Sequence, residues 1–196
     1  MPQKRGFEMR ILSLCSGSGS FEKPWLDNGR YVLSLTLPFE DVRLIKFEPK
    51  GFDGILCAPP CRCFTQTASS MPNSITEKID AISVVDACLR AVLLYRPKFW
   101  VLENPPGSLK DYIGPCSFSF QPWWYGDLSQ KYTNLWGEFK VPARTVLKKP
   151  EKLTDTSSIG RSGDARRAIT PPGFAYAFYL ANQERLIPGA VSPGSG

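Results

Sequence analysis

Arg10-Ile11-Leu12-Ser13-Leu14-Cys15, then Ser16-Gly17-Ser18-Gly19-Ser20, then Phe21 to Asn28 is the stretch on which the fold turns. The first six residues are a short apolar run with strand character. The glycines permit a tight turn and a close approach of backbone to a ligand. Phe21 to Asn28 suits a helix, and Gly29 closes it as a C-terminal stop. A strand, a glycine turn and a helix opening on free N–H groups can hold an anion or a nucleotide-like ligand. The run is not the dinucleotide fingerprint GxGxxG, because Glu22 stands where the third glycine belongs. Alone it is a weak signal that leaves both a tight turn and a ligand loop open.

Outward from this stretch the pattern alternates. Tyr31 to Leu37 reads as a second strand, and Gly54 to Cys57 as a third, cut off by Ala58-Pro59-Pro60. Ser74-Ile75-Thr76-Glu77 is a capping box. Ile75, Ile79, Ile82, Val85, Leu89 and Val92 follow at spacings of three and four, predicting a helix to about Tyr95. Pro97 stops it. Phe99 to Glu103 reads as a buried strand ended by Asn104-Pro105-Pro106-Gly107, and Thr133 to Phe139 as another. Thr170-Pro171-Pro172 reads as an N-cap with prolines in the first turn of a last helix reaching Asn182. The order predicts a doubly wound α/β sheet, parallel at least in its first half. Ligands of such sheets bind beyond the carboxyl ends of the strands. The unusual loops 15–20, 57–64 and 103–107 all fall there.

Composition narrows the chemistry. The 196 residues suit one well-buried domain, and 42% apolar with 21% charged residues is an ordinary globular balance. No apolar run approaches a membrane span, and Met1-Pro2-Gln3-Lys4-Arg5 opens no signal peptide, so a reduced, cytoplasmic setting is expected. The chain has no histidine. Serine triads, Cys-His dyads and HExxH zinc sites are thereby excluded. Six cysteines stand at 15, 57, 61, 63, 88 and 116, with no second close pair to complete a zinc site around Cys57, Cys61 and Cys63, so no metal is expected. Net charge is +6, and between Lys140 and Arg167 eight basic residues face three acidic ones. That segment is either a solvated loop or an arm that contacts phosphates.

Two loops carry reactive groups. In Pro59-Pro60-Cys61-Arg62-Cys63 the prolines fix the backbone leaving a strand, which presents Cys61. A neighbouring cation such as Arg62 favours the thiolate a nucleophile needs, whereas most free cysteines are small core residues. Glu103 closes a buried strand, where partial desolvation raises a carboxyl pKa toward proton donation; a carboxylate bonded to loop backbone is the plainer reading.

Taken together, these loops resemble the carbon-5 cytosine DNA methyltransferases. Leu12 to Phe21 is similar to that family's cofactor motif, Pro59-Pro60-Cys61 to its catalytic loop and Glu103-Asn104 to its Glu-Asn motif. Asp41-Val42-Arg43 stands where the family reads the adenine of S-adenosylmethionine. Tyr125-Gly126 through Thr133 resembles its later Tyr-Gly…Gln-x-Arg-x-Arg strand, and Arg167 to Phe174 its last motif. The resemblance spans residues 10 to 182, in the pattern of a compact group carried mostly by phages. It implies a Rossmann-like methyltransferase sheet, and S-adenosylmethionine held by Cys15, Ser16, Gly17, Gly19, Ser20, Phe21, Asp41, Val42, Pro59 and Thr170. It also implies catalysis by Cys61, Glu103, Asn104, Lys131 and Thr133 on DNA in a bacterial or phage-infected cell.

Three departures stand out. Leu35-Thr36-Leu37-Pro38 lacks the acidic residue that ends the family's second strand and holds the cofactor ribose; Glu40 is a substitute by position. The Arg-x-Arg pair appears as Lys131 and Thr133. Only 30 residues separate Phe139 from Thr170, where the family inserts a large target-recognition region. The organisation expected is a catalytic core over 1–139, a reduced basic segment over 140–169 and a returning helix with a tail over 170–196. Arg62, Arg144, Lys148, Lys149, Lys152, Arg161, Arg166 and Arg167 are its candidate nucleic-acid contacts, and a protein partner could supply recognition. Trp123, Trp124 and Tyr125 could stack on bases or form a buried cluster. Asn104-Pro105-Pro106 also matches the loop of amino-group methyltransferases, but Gly107 replaces its stacking aromatic and Cys61 would be idle. A catalytically dead nucleic-acid-binding protein and a methyltransferase of free cytosine nucleotides remain as alternatives.

Overall fold

The structure, a computed structural model, describes residues 9–46, 50–65, 74–155 and 169–183. Its centre is a six-stranded sheet ordered β2-β1-β3-β4-β7-β5. Strands β1 (Arg10–Leu14), β2 (Tyr31–Leu35), β3 (Gly54–Cys57) and β4 (Phe99–Asn104) are mutually parallel. β7 (Thr133–Glu138) then runs antiparallel to β4, and β5 (Phe118–Phe120) antiparallel to β7. The expected α/β class and the parallel first half are therefore present. A separate two-stranded ribbon pairs β6 (Ser129–Gln130) with β8 (Thr154–Asp155), and neither strand had a signal in the sequence.

Helices cover both faces. α1 (Lys23–Asp27) and α4 (Pro172–Asn182) lie on one side, where Trp25 stacks on Phe99 at 5.5 Å and Phe21 meets Phe178 at 5.3 Å. α2 (Ile75–Tyr95) covers the other, with the short α3 (Lys110–Ile113) beside it. The capping box at Ser74 and Glu77 forms with both bonds, and the helix ends at Arg96 in a left-handed conformation ahead of Pro97.

The buried face of α2 is not the one its isoleucines suggest. Ala81, Val84, Val85, Ala87, Cys88 and Ala91 face the sheet, whereas Ile75 and Ile79 are exposed and Ile82, Leu89 and Val92 are half-buried. Small side chains let the helix axis lie close to the strands. Its 21 residues span about 31 Å, against about 20 Å for the longest strand, so the first turns overhang the carboxyl edge of the sheet. Thr170 is likewise not a cap. Pro171 occupies that position without a side-chain bond, while Thr170 is buried and its N–H donates to Ser20 Oγ at 2.8 Å. Of the aromatic triplet, Tyr125 is buried and Trp124 packs against the core, in a 3-10 turn spanning Pro122–Tyr125. No helix of the described residues is long and apolar enough to cross a membrane.

Candidate active site

Four parallel strands deliver their carboxyl ends to one edge, and the antiparallel β7 brings its amino end to the same place, pairing Asn134 with Asn104. Lys131, just ahead of β7, thereby comes beside Glu103. Its Nζ lies 3.8 Å from Glu103 Oε1 and 3.4 Å from the Ile169 carbonyl, with both charged side chains largely buried.

The Pro-Pro-Cys loop is clamped to the end of β4. Asn104 Nδ2 donates to the Pro59 carbonyl at 3.0 Å, and Ser108 N–H to the Phe64 carbonyl at 2.8 Å. The turn itself closes by Phe64 N–H and Thr65 N–H on the Cys61 carbonyl. Gly107 explains itself here. A Cβ on it would overlap the Phe64 carbonyl oxygen, so this position needs a bare backbone to hold the two loops together. In the sequence Gly107 is marked only by the absence of an aromatic ring. Gly107→Ala is expected to shift the Cys61 loop and cut turnover by roughly 100-fold, the usual result of a displacement near 1 Å. Steady-state rates alongside a thermal melt check this; an unchanged rate would show that the loop holds its place without the clamp.

Two buried acceptors at this edge have no hydrogen-bond partner: Glu103 Oε1 and Asn104 Oδ1. Buried polar atoms are nearly always satisfied, so a ligand bearing N–H donors fits the pair. Among the nearby thiols Cys61 is half-buried and outside any disulfide, while Cys57 is fully buried. Burial and the Glu77 carboxylate push the Cys63 thiol up. Contact with the Cys88 thiol, followed by burial, pushes Cys15 far up, so it stays protonated. Arg62 is exposed beside Cys61.

The glycine loop lies across the ends of β1 and β2. Cys15 has φ 59°, Gly17 53° and Gly19 71°, a left-handed path that turns the loop over the sheet. A Cβ on Gly17 would meet nothing within 4 Å, leaving open space above the loop. Gly17 N–H donates to Thr36 Oγ1 at 3.2 Å, and Ser16 Oγ lies 2.7 Å from Ser34 Oγ. Phe21 departs from expectation as a direct cofactor contact. Its ring is covered by Phe174 and Phe178 and has no exposed face, because α4 packs against it. Val42 is similarly built into the core. Asp41 caps the 3-10 turn Val42–Leu44 and binds the Arg43 guanidinium, which holds its carboxyl below the ordinary range. Thr133 is buried, with its hydroxyl proton given to the Lys131 carbonyl at 3.0 Å. It therefore offers no second donor in place of the missing arginine.

Of the basic segment, Arg144 lies over the Trp124 ring at 3.2 Å, and Thr145 and Val146 N–H groups bond to the Trp124 carbonyl. Lys148, Lys149 and Lys152 are exposed. Arg161, Arg166 and Arg167 lie outside the described residues. No group of three or more acidic, cysteine or histidine side chains among the described residues could hold a metal ion.

No family model matches the chain. It is 26% identical over 203 residues to the "Probable DNA (cytosine-5)-methyltransferase" of Frog virus 3 (isolate Goorha), covering 81% of this chain and 92% of that protein. Its fold is similar, with a TM-score of 0.51 and 16% identity, to the crystal structure of a "putative DNA modification methyltransferase encoded within prophage" of E. coli. That match covers 67% of this chain and 47% of the other, so the chain spans about half the length of that solved structure. In sequence this chain is therefore similar to a probable DNA (cytosine-5)-methyltransferase, and in fold to a DNA modification methyltransferase.

Proposed function

We propose that the protein methylates carbon 5 of cytosine in DNA, using S-adenosylmethionine and a transient covalent bond from Cys61. The observation that carries this reading is the clamp of Asn104 on the Pro59 carbonyl, which sets the Cys61 loop beside Glu103. When bound, the cofactor supplies an electrophilic methyl group on sulfur. Carbon 5 of cytosine is too weak a nucleophile to attack it unaided. Addition of the Cys61 thiolate to carbon 6 breaks the 5,6 double bond and moves its electron pair toward carbon 5. Glu103, carrying a proton, relieves the negative charge that develops at ring nitrogen 3, and its carboxyl and the Asn104 amide accept from the exocyclic amine. After methyl transfer, a water base takes the carbon-5 proton. The electron pair re-forms the double bond and expels Cys61 as thiolate. Within this scheme Lys131, 3.8 Å from Glu103 Oε1, helps to position the carboxyl group. The glycine loop, Pro59, Thr170 and Asp41 would hold the cofactor.

The target base must leave the duplex to reach Cys61, at a cost of a few kcal/mol of unstacking. The exposed Lys148, Lys149 and Lys152, with Arg62 on the catalytic loop, supply phosphate contacts for that complex. Such contacts position the protein and carry little sequence information. Recognition of a short site of about two to four base pairs is therefore expected. Bisulfite sequencing of DNA from an expressing host reads it directly, and one methylated motif of six or more base pairs overturns it. Neutralising the three lysines together is expected to weaken binding to all sequences alike. The salt dependence should flatten by about 0.9 in log–log slope per lost phosphate contact. Tritiated methyl transfer to duplex DNA, single-stranded DNA and dCMP in parallel tests the substrate class, and label only in dCMP would overturn the DNA reading.

A further inference from the structure

Among the described residues one buried carboxylate is left unused by the proposed catalysis. Glu22 sits between the glycine loop and α1 and is 7% exposed. It occupies the N-cap position of α1 but makes no side-chain cap bond. Its Oε2 accepts from Ser34 Oγ at 3.1 Å, near the end of β2, and that hydroxyl lies 2.7 Å from Ser16 Oγ. Its Oε1 points toward the glycine loop, 3.4 Å from where a Cβ on Gly19 would stand. Among the described residues no cation is paired with it. A carboxylate has about four acceptor positions, and burying one with a single donor and no cation is unfavourable. The arrangement makes sense if a ligand brings further donors into the crevice between β1 and β2.

The end of β2 offers no other acid. Thr36 is neutral, and its hydroxyl oxygen already accepts from Gly17 N–H. Glu40, the substitute suggested by position, is exposed, and its own N–H closes the turn on the Thr36 carbonyl. A pair of adjacent hydroxyls is the donor set that one carboxylate receives with both oxygens, as acidic residues of nucleotide-binding sheets do with ribose. We infer that Glu22, reaching up from the start of α1, takes the ribose hydroxyls of the adenosyl cofactor in place of an acid at the end of β2. This rests on the cofactor reading above.

Calorimetry on the full chain separates the two ideas. The ligands are S-adenosylhomocysteine and its analogue lacking both ribose hydroxyls. The proteins are the unaltered chain, Glu22→Gln and Glu22→Gln/Thr36→Asp, each checked by thermal melting. The unaltered protein is expected to prefer the ribose ligand by about 10- to 100-fold, the range of hydrogen bonds to a charged group. Glu22→Gln should lose that preference by weakening on the ribose ligand alone, and adding Thr36→Asp should restore it from the neighbouring strand end. Unchanged preference in Glu22→Gln overturns the inference and leaves the cofactor reading intact. If that variant fails to fold, equal affinity of the unaltered protein for both ligands overturns the inference by itself. A folded, unaltered protein that binds neither ligand at millimolar concentration overturns the cofactor reading, and this inference with it.

Discussion

Mixed with S-adenosylmethionine and duplex DNA containing 5-fluorocytosine, the protein is expected to accumulate a denaturation-resistant adduct on Cys61. Fluorine cannot leave carbon 5 as a cation, so elimination of the thiolate is blocked after methyl transfer. Peptide mapping should find the DNA on Cys61 and not on its neighbours. Cys57 is fully buried at the end of β3, and Cys63 gives its thiol proton to the Glu77 carbonyl at 3.6 Å. Burial, with the Glu77 carboxylate, also pushes the Cys63 thiol up. Cys61→Ala should abolish the adduct and lower turnover by ~10⁴-fold or more, the scale of losing a covalent nucleophile. Its folding should change little, because Cys61 is only half-buried on a loop held by Asn104 and Gly107. An adduct that persists in Cys61→Ala, or maps elsewhere, would show another nucleophile at work.

The second large effect belongs to Glu103. Glu103→Gln keeps the size and shape of the side chain but removes the transferable proton, and turnover should fall by roughly 10²- to 10⁴-fold. The same change should leave the melting temperature close to the unaltered value. The ion pair with Lys131 is loose at 3.8 Å, and the Gln amide can still offer an oxygen there. A carboxylate held only to brace the loops would behave oppositely, with stability lost and the rate per folded molecule preserved.

Much of this site was legible in local sequence because its pieces are local. Gly54 to Cys57 came out as a strand at its observed bounds, since a buried parallel strand is a continuous apolar run and Pro59 terminates it. The α2 start came from Ser74 and Glu77, whose mutual bonds depend only on three residues of spacing. The reactive candidates Cys61 and Glu103 were visible as a thiol behind two prolines and an acid at the end of an apolar strand.

Other features depended on what lies across the sheet. The burial of α2 is rotated toward Ala81, Cys88 and Ala91 because helix-to-sheet distance, not hydrophobicity alone, chooses the packed face. Gly107 carried no readable meaning until the Phe64 carbonyl was seen against it. Phe21 looked like a cofactor contact until α4, arriving some 150 residues later, covered its ring. The bond from Thr170 to Ser20 spans the same distance along the chain.

The sequence by itself determined the alternation of strands and helices, the loops at the strand ends and the reactive residue types, because each follows from spacings of a few residues. Only the tertiary structure decided which of these groups share a site. The reversal of β7 against β4 sets Lys131 beside Glu103, and the crevice between β1 and β2 gathers Glu22, Ser34 and the glycine loop. Pairing of distant strands fixes those neighbours, and no short window of sequence encodes which strand lies next to which.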